Sequence, residues 1–104
     1  MKLRTFERLY DELNSSTFAG VLSCARIMHT RSIRDYAVFD PNTYIISFNT
    51  KAISGMLMAR SIVYHEMIHQ YLDQILNIDE HHGINFWKAY RKFNPGNVIL
   101  SERF

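Results

Sequence analysis

His65 and His69 stand four residues apart with Glu66 beside the first, inside the run Ser61-Ile62-Val63-Tyr64-His65-Glu66-Met67-Ile68-His69-Gln70-Tyr71-Leu72. On an α-helix, positions i and i+4 lie one turn apart on the same face, so two imidazoles placed there can hold one metal ion together. The spacing is H-E-x-x-H, a pattern used by zinc hydrolases. The glutamate is rotated round the helix yet stays beside the metal, where its carboxylate can take a proton from a metal-bound water. The flanking residues are uncharged and helix-compatible, which favours a buried helix over a solvated surface one.

Zinc in hydrolases keeps three protein ligands and one open position. His65 and His69 supply two, and one zinc ion per chain is expected. The third must come from elsewhere, because that helix face is used up. Glu80, His81 and His82 follow a short break and compete for the role on spacing alone. His82 is favoured because it leads the next predicted helix and shares a face with Phe86 and Tyr90, while His81 turns toward solvent. Glu66 is expected as general base, then as acid toward a leaving amine. Asp73, Asp79 and Glu80 are candidates to orient the imidazoles, though each reads more simply as a solvated carboxylate. Tyr90, Tyr64, Tyr36 and His29 are candidates to stabilise an oxyanion, and the sequence does not choose among them.

The surrounding elements must position these groups. Leu3, Phe6, Leu9, Tyr10 and Leu13 recur at helical spacing, which predicts an amphipathic N-terminal helix ended by Asn14-Ser15-Ser16-Thr17 and a turn at Gly20. Val21 to His29, Asp35 to Phe39 and Thr43 to Phe48 read as strands, the last two joined through the turn residues Asp40-Pro41-Asn42. The expectation is a small antiparallel three-stranded sheet. The motif helix is expected from about Met56 to Leu76, capped by Ser54 with Gly55 at its first position. A last helix is expected from about His82 to Phe93, stopped by Asn94-Pro95-Gly96. The tail, Asn97 to Phe104, either adds an edge strand or packs on the core. The predicted fold class is α+β. Chain order makes the Thr43–Phe48 strand the natural edge for an added peptide.

At 104 residues the chain reads as one domain, 1–104, with a modest core. A 47% hydrophobic and 13% aromatic composition suits a globular fold and argues against disorder. The net charge of +2 is too small to argue for DNA association. Cys24 is the only cysteine, which leaves no disulfide framework and no Cys-based zinc ribbon. No signal core or membrane-spanning run is visible, so a cytoplasmic setting is the expectation. The expected partner is a peptide or protein substrate; the sequence does not give an oligomeric state.

The segment His65-Glu66-Met67-Ile68-His69, followed by His82-Gly83-Ile84-Asn85-Phe86, resembles the SprT-like zinc metalloproteases. The second segment is similar to that family's H-G-x-x-F element, in which the histidine before glycine is the third ligand; the resemblance raises His82 over His81 and Glu80. Tyr10-Asp11-Glu12-Leu13-Asn14, then Phe18, Gly20 and Leu22, and the Tyr44–Phe48 strand are similar too, so the likeness covers most of the chain. It implies a zincin-type core: an N-terminal helix, a small sheet, the H-E-x-x-H helix and a C-terminal ligand helix. It also implies zinc-dependent peptide hydrolysis, in a family that includes proteases acting on proteins crosslinked to DNA. Larger members carry a Cys-rich zinc ribbon or further DNA-binding segments, which are not seen here. The chain is similar in size to the minimal single-domain zincins called minigluzincins. Those use a glutamate as third ligand, so His82-Gly83 favours the SprT-like side. The alternative is a latent or inactive zinc-binding module, with the Val98–Phe104 tail in the cleft, serving protein interaction or DNA-associated protein processing.

Overall fold

A computed structural model describes residues 1–31, 34–101 and 104. Its elements run α1 (Leu3–Ser16), β1 (Arg26–His29), β2 (Ala37–Asp40), β3 (Ile45–Phe48), α2 (Met56–Gln74) and α3 (Ile84–Phe93). Among the described residues, no helix is long and apolar enough to cross a membrane.

Helix α1 buries Phe6, Leu9, Tyr10 and Leu13, the stripe its periodicity predicts. Phe6 stacks on Phe48 of β3 with ring centroids 4.7 Å apart. The helix ends where the Phe18 and Gly20 amides turn back to the carbonyls of Leu13 and Asn14. Gly20 has φ +72°, a conformation glycine adopts without strain.

The sheet is mixed, in the order β1-β3-β2, which corrects the antiparallel expectation. β2 and β3 form the predicted antiparallel hairpin, with Val38 opposite Ser47. β1 runs parallel to β3, with Ile27 opposite Ile46. The physical reason is the route of the chain: after β1 it passes to the far edge, lays down β2 and returns through the hairpin into the central position. The returning strand must then point the same way as β1. β3 is therefore the centre of the sheet, and β2 is an edge. The expectation that the Thr43–Phe48 strand offers a free edge is corrected accordingly.

β1 starts later than the predicted Val21. The backbone before it is already held by side chains. Asn14 pairs with both backbone groups of Leu22. The Ser23 carbonyl accepts from Gln70 Nε2 at 2.7 Å, and the Ala25 amide donates to the Tyr10 hydroxyl. These groups cannot also serve a ladder.

Helix α2 buries residues on nearly every side, including Ile62, Val63, Tyr64, Met67, Ile68 and Leu72. Gly55, rather than Ser54, is its N-cap; φ +82° there explains the glycine. The helix ends through Asn77 in the left-handed region, with the Ile78 amide bonded to the Leu72 carbonyl, a helix stop of the kind asparagine supports. α3 begins at Ile84, so His82 precedes the helix instead of leading it. The tail adds no strand among the described residues and packs on the core through Val98 and Phe104; its residues 102 and 103 lie outside the described residues.

A buried polar knot ties α1, the segment before β1 and α2 together. The Tyr10 hydroxyl donates to Gln70 Oε1 at 2.7 Å, and Gln70 is fully buried. Tyr10→Phe leaves the Ala25 amide and the Gln70 carbonyl oxygen without this partner. Urea unfolding is expected to show a loss of about 2 kcal/mol, the penalty for stranded buried polar groups. A loss under about 0.5 kcal/mol would mean that water or a shifted Gln70 replaces the hydroxyl.

Candidate functional site

Helical spacing puts His65 and His69 on one face of α2, and the turn before α3 brings His82 over them. His82 Nε2 lies 3.0 Å from His65 Nε2 and 3.2 Å from His69 Nε2. One nitrogen from each of the three rings falls within 4.8 Å of the others, a group that can hold a metal ion. Tetrahedral zinc with Zn–N bonds of about 2.0–2.1 Å sets its nitrogens about 3.3 Å apart, close to the separations here. Phe86 of α3 backs the cluster, its ring 5.0, 4.6 and 4.8 Å from the rings of His65, His69 and His82.

The chemistry of the donor set also suits a cation. Burial first, then the neighbouring imidazoles, pushes His65 and His69 down to about 3 from the usual 6.5. The rings are thus neutral near pH 7, with lone pairs to donate. His65 Nδ1 is buried and has no hydrogen-bond partner among the described residues. Glu66 is buried beside these rings. Burial raises its carboxyl to about 8, with Asp35 adding to the rise and a hydrogen bond from the Phe39 backbone opposing it.

Above the cluster lies a cleft of about 290 Å³, lined by β2 residues Ala37, Val38 and Phe39, by Tyr36, by the three imidazoles with Glu66, and by Phe104. The edge strand β2 is therefore the strand that meets the site. Its role was not visible in sequence, since it depends on which hairpin arm is central.

The other predicted residues divide clearly. His81 is exposed at the cleft and stacks on His69, with centroids 5.6 Å apart; its ring is not in the three-imidazole group. Tyr36 lines the cleft, the only one of the four oxyanion candidates to do so. Tyr64 donates to the Tyr90 carbonyl, Tyr90 bonds to Ile99 and Ser101 of the tail, and His29 pairs with Thr50. Asp73 accepts from the Tyr44 hydroxyl at 3.0 Å. Asp79 is exposed, and Glu80 turns to the start of α3.

No protein-family model and no curated protein matches the sequence. Among solved structures, the fold is similar to that of the metallopeptidase zymogen jannalysin of Methanocaldococcus jannaschii. The two are 20% identical, with a TM-score of 0.65, covering 88% of this chain and 84% of that one. The chain thus has a metallopeptidase-like α+β fold, with three histidines grouped where a metal ion fits.

The shifts set a pH optimum for the metal-free fold. His65 and His69 resist protonation when folded, so stability falls as pH drops from 6.5 toward 3, where only the unfolded chain takes up those protons. Glu66 holds its proton up to about 8 when folded but only to 4.5 when unfolded, so its effect runs the other way, and stability falls as pH rises between those values. Two histidines outweigh one glutamate where the ranges overlap. Denaturation of protein stripped of metal should show greatest stability near pH 6.5, lower at pH 4.5 and at pH 8.5. Stability that stays level from pH 6.5 to pH 8.5 would show Glu66 ionised in the fold.

Proposed function

We propose that the chain is a zinc-dependent endopeptidase of the SprT-like kind, with one zinc ion held by Nε2 of His65, His69 and His82 and with Glu66 as general base. The carrying observation is the convergence of three imidazole nitrogens beside a buried carboxyl group at the floor of an open cleft. When bound, zinc supplies Lewis acidity: it makes water acidic near neutral pH and polarises a carbonyl. Glu66 takes a proton onto a carboxylate oxygen and returns it to the departing amine; a bound cation would oppose the burial that raises its carboxyl and keep it ionised for the first transfer. Phe86 and the buried wall of α2 exclude water from the far side of the imidazoles. A peptide substrate adds as a further strand along β2, whose outer edge borders the cleft.

The H-G-x-x-F element supports the SprT-like assignment over zincins with a glutamate ligand, since Glu80 is turned away to α3 while His82 joins the other two rings. One domain, a cytoplasmic setting and a protein substrate complete the reading. DNA association has no support in the charge balance.

A second reading has one specific observation behind it. Phe104 lines the cleft and meets Tyr36 edge-on, with ring centroids 5.7 Å apart. The similar jannalysin structure is that of a zymogen. On this reading the tail holds the site latent. Removal of residues 102–104 should then raise peptidase activity severalfold; unchanged activity removes the idea.

Metal analysis is expected to give one zinc per chain, lost in His82→Ala and kept in His81→Ala. Glu66→Ala should retain zinc while peptide hydrolysis falls at least about 100-fold, the usual range for a general base. A wild-type chain that takes up no zinc after reconstitution would sink the enzyme reading.

A further inference from the structure

His82 sits in a stretch with no regular structure, between the end of α2 and the start of α3. Something must hold its ring over His65 and His69. The Glu80 carboxylate spans that stretch. Its Oε1 accepts the Phe86 amide at 2.7 Å, and its Oε2 accepts from Asn85 Nδ2 at 3.1 Å. The bridge closes a loop that contains His81, His82 and Gly83. It also supplies the anionic cap that α3 otherwise lacks, since Gly83 at the N-cap position offers no side chain.

Gly83 gives an independent sign of the same arrangement. Its backbone, φ −84° and ψ −168°, is open to any residue. Space is the constraint: a Cβ there would lie 2.9 Å from Glu80 Cδ, 2.9 Å from Oε1 and 3.0 Å from Oε2. The glycine leaves room for that carboxylate. The amide that the carboxylate holds belongs to Phe86, whose ring touches all three imidazoles. One bridge therefore fixes both the loop that carries His82 and the wall behind the cluster.

We propose that Glu80 is a positioning residue for His82, clamping the 80–86 loop so that the third imidazole is set for metal, and that Gly83 exists to admit the clamp. This rests on the reading of His65, His69 and His82 as zinc ligands. Groups that orient metal ligands typically change metal affinity 10–100-fold when removed.

The test is a double-mutant cycle in zinc affinity, measured by chelator competition on the full chain, with amide exchange of Phe86 followed in zinc-stripped protein. Glu80→Ala should weaken zinc binding at least about 10-fold and speed exchange of the Phe86 amide. Glu80→Gln should restore both to within about threefold, because the amide oxygen still accepts that N–H. Gly83→Ala should weaken zinc about 10-fold in the wild-type background, yet add less than about twofold to Glu80→Ala, since the methyl then meets empty space. Losses that simply add overturn the clamp. So does a Glu80→Ala chain that binds zinc and protects Phe86 as the wild type does, and that result leaves the zinc reading standing. A wild-type chain that binds no zinc, with Phe86 exchange still faster in Glu80→Ala, overturns the zinc reading while supporting the clamp.

Discussion

Helix α2 buries eleven of its nineteen residues, and a helix buried on so many sides must account for every polar group it carries. Most are met within the protein. Gln70 is held by Tyr10 and Ser23; Ser61 donates to the Leu57 carbonyl and accepts the Ile99 amide; the Tyr64 hydroxyl reaches the Tyr90 carbonyl. Among the described residues, the buried Nδ1 of His65 and Nε of Arg60 are the exceptions. Glu66 accepts a hydrogen bond from the Phe39 backbone, yet burial raises its carboxyl. The division is informative. Groups with firm protein partners bind the layers together, while His65 and Glu66, whose ionisation burial shifts most, line one cleft.

The third imidazole poses a different physical problem. His65 and His69 inherit their geometry from helical periodicity, which costs nothing further once α2 is packed. His82 inherits nothing, because it lies outside both helices. A loop residue must lose its conformational freedom, on the order of 1–2 kcal/mol for the backbone alone, before its ring is useful. The nearby interactions offset that loss: the Glu80 bridge to α3, the packing of Phe86 against the ring, and the turn at Asn77 that redirects the chain.

Local pattern made the helices and the motif legible. The α1 stripe of Phe6, Leu9, Tyr10 and Leu13 is a matter of spacing, and the β2–β3 hairpin announces itself in Asp40-Pro41-Asn42. That His82 joins His65 and His69 could be argued from the order of residues and from the family likeness. The parallel pairing of β1 with β3 could not. It is a contact between residues far apart in sequence, decided by the route of the chain, and nothing within Arg26–His29 records it. The late start of β1 was hidden for a related reason: Leu22, Ser23 and Ala25 look like strand residues, but side chains from α1 and α2 hold their backbone. The tyrosines were ambiguous because a hydroxyl's partner is a tertiary fact. Tyr64 and Tyr90 bond to backbone, and only Tyr36 reaches the cleft.

How strongly metal and fold depend on one another follows from where the core lies. Phe6, Leu13, Phe48, Ile62, Val63, Met67 and Ile68 are buried without help from the histidine cluster, and they join α1, the sheet and α2. A small zinc finger has no such core, so its metal-binding energy is its folding energy. Here the two separate. Loss of a ligand removes a site from a fold that has its own reasons to form. The core fixes α2, and with it the register of His65 and His69 on one helix face. The same rigidity keeps Glu66 and the β2 edge in fixed register with the imidazoles, and peptide hydrolysis on the proposed reading requires that register.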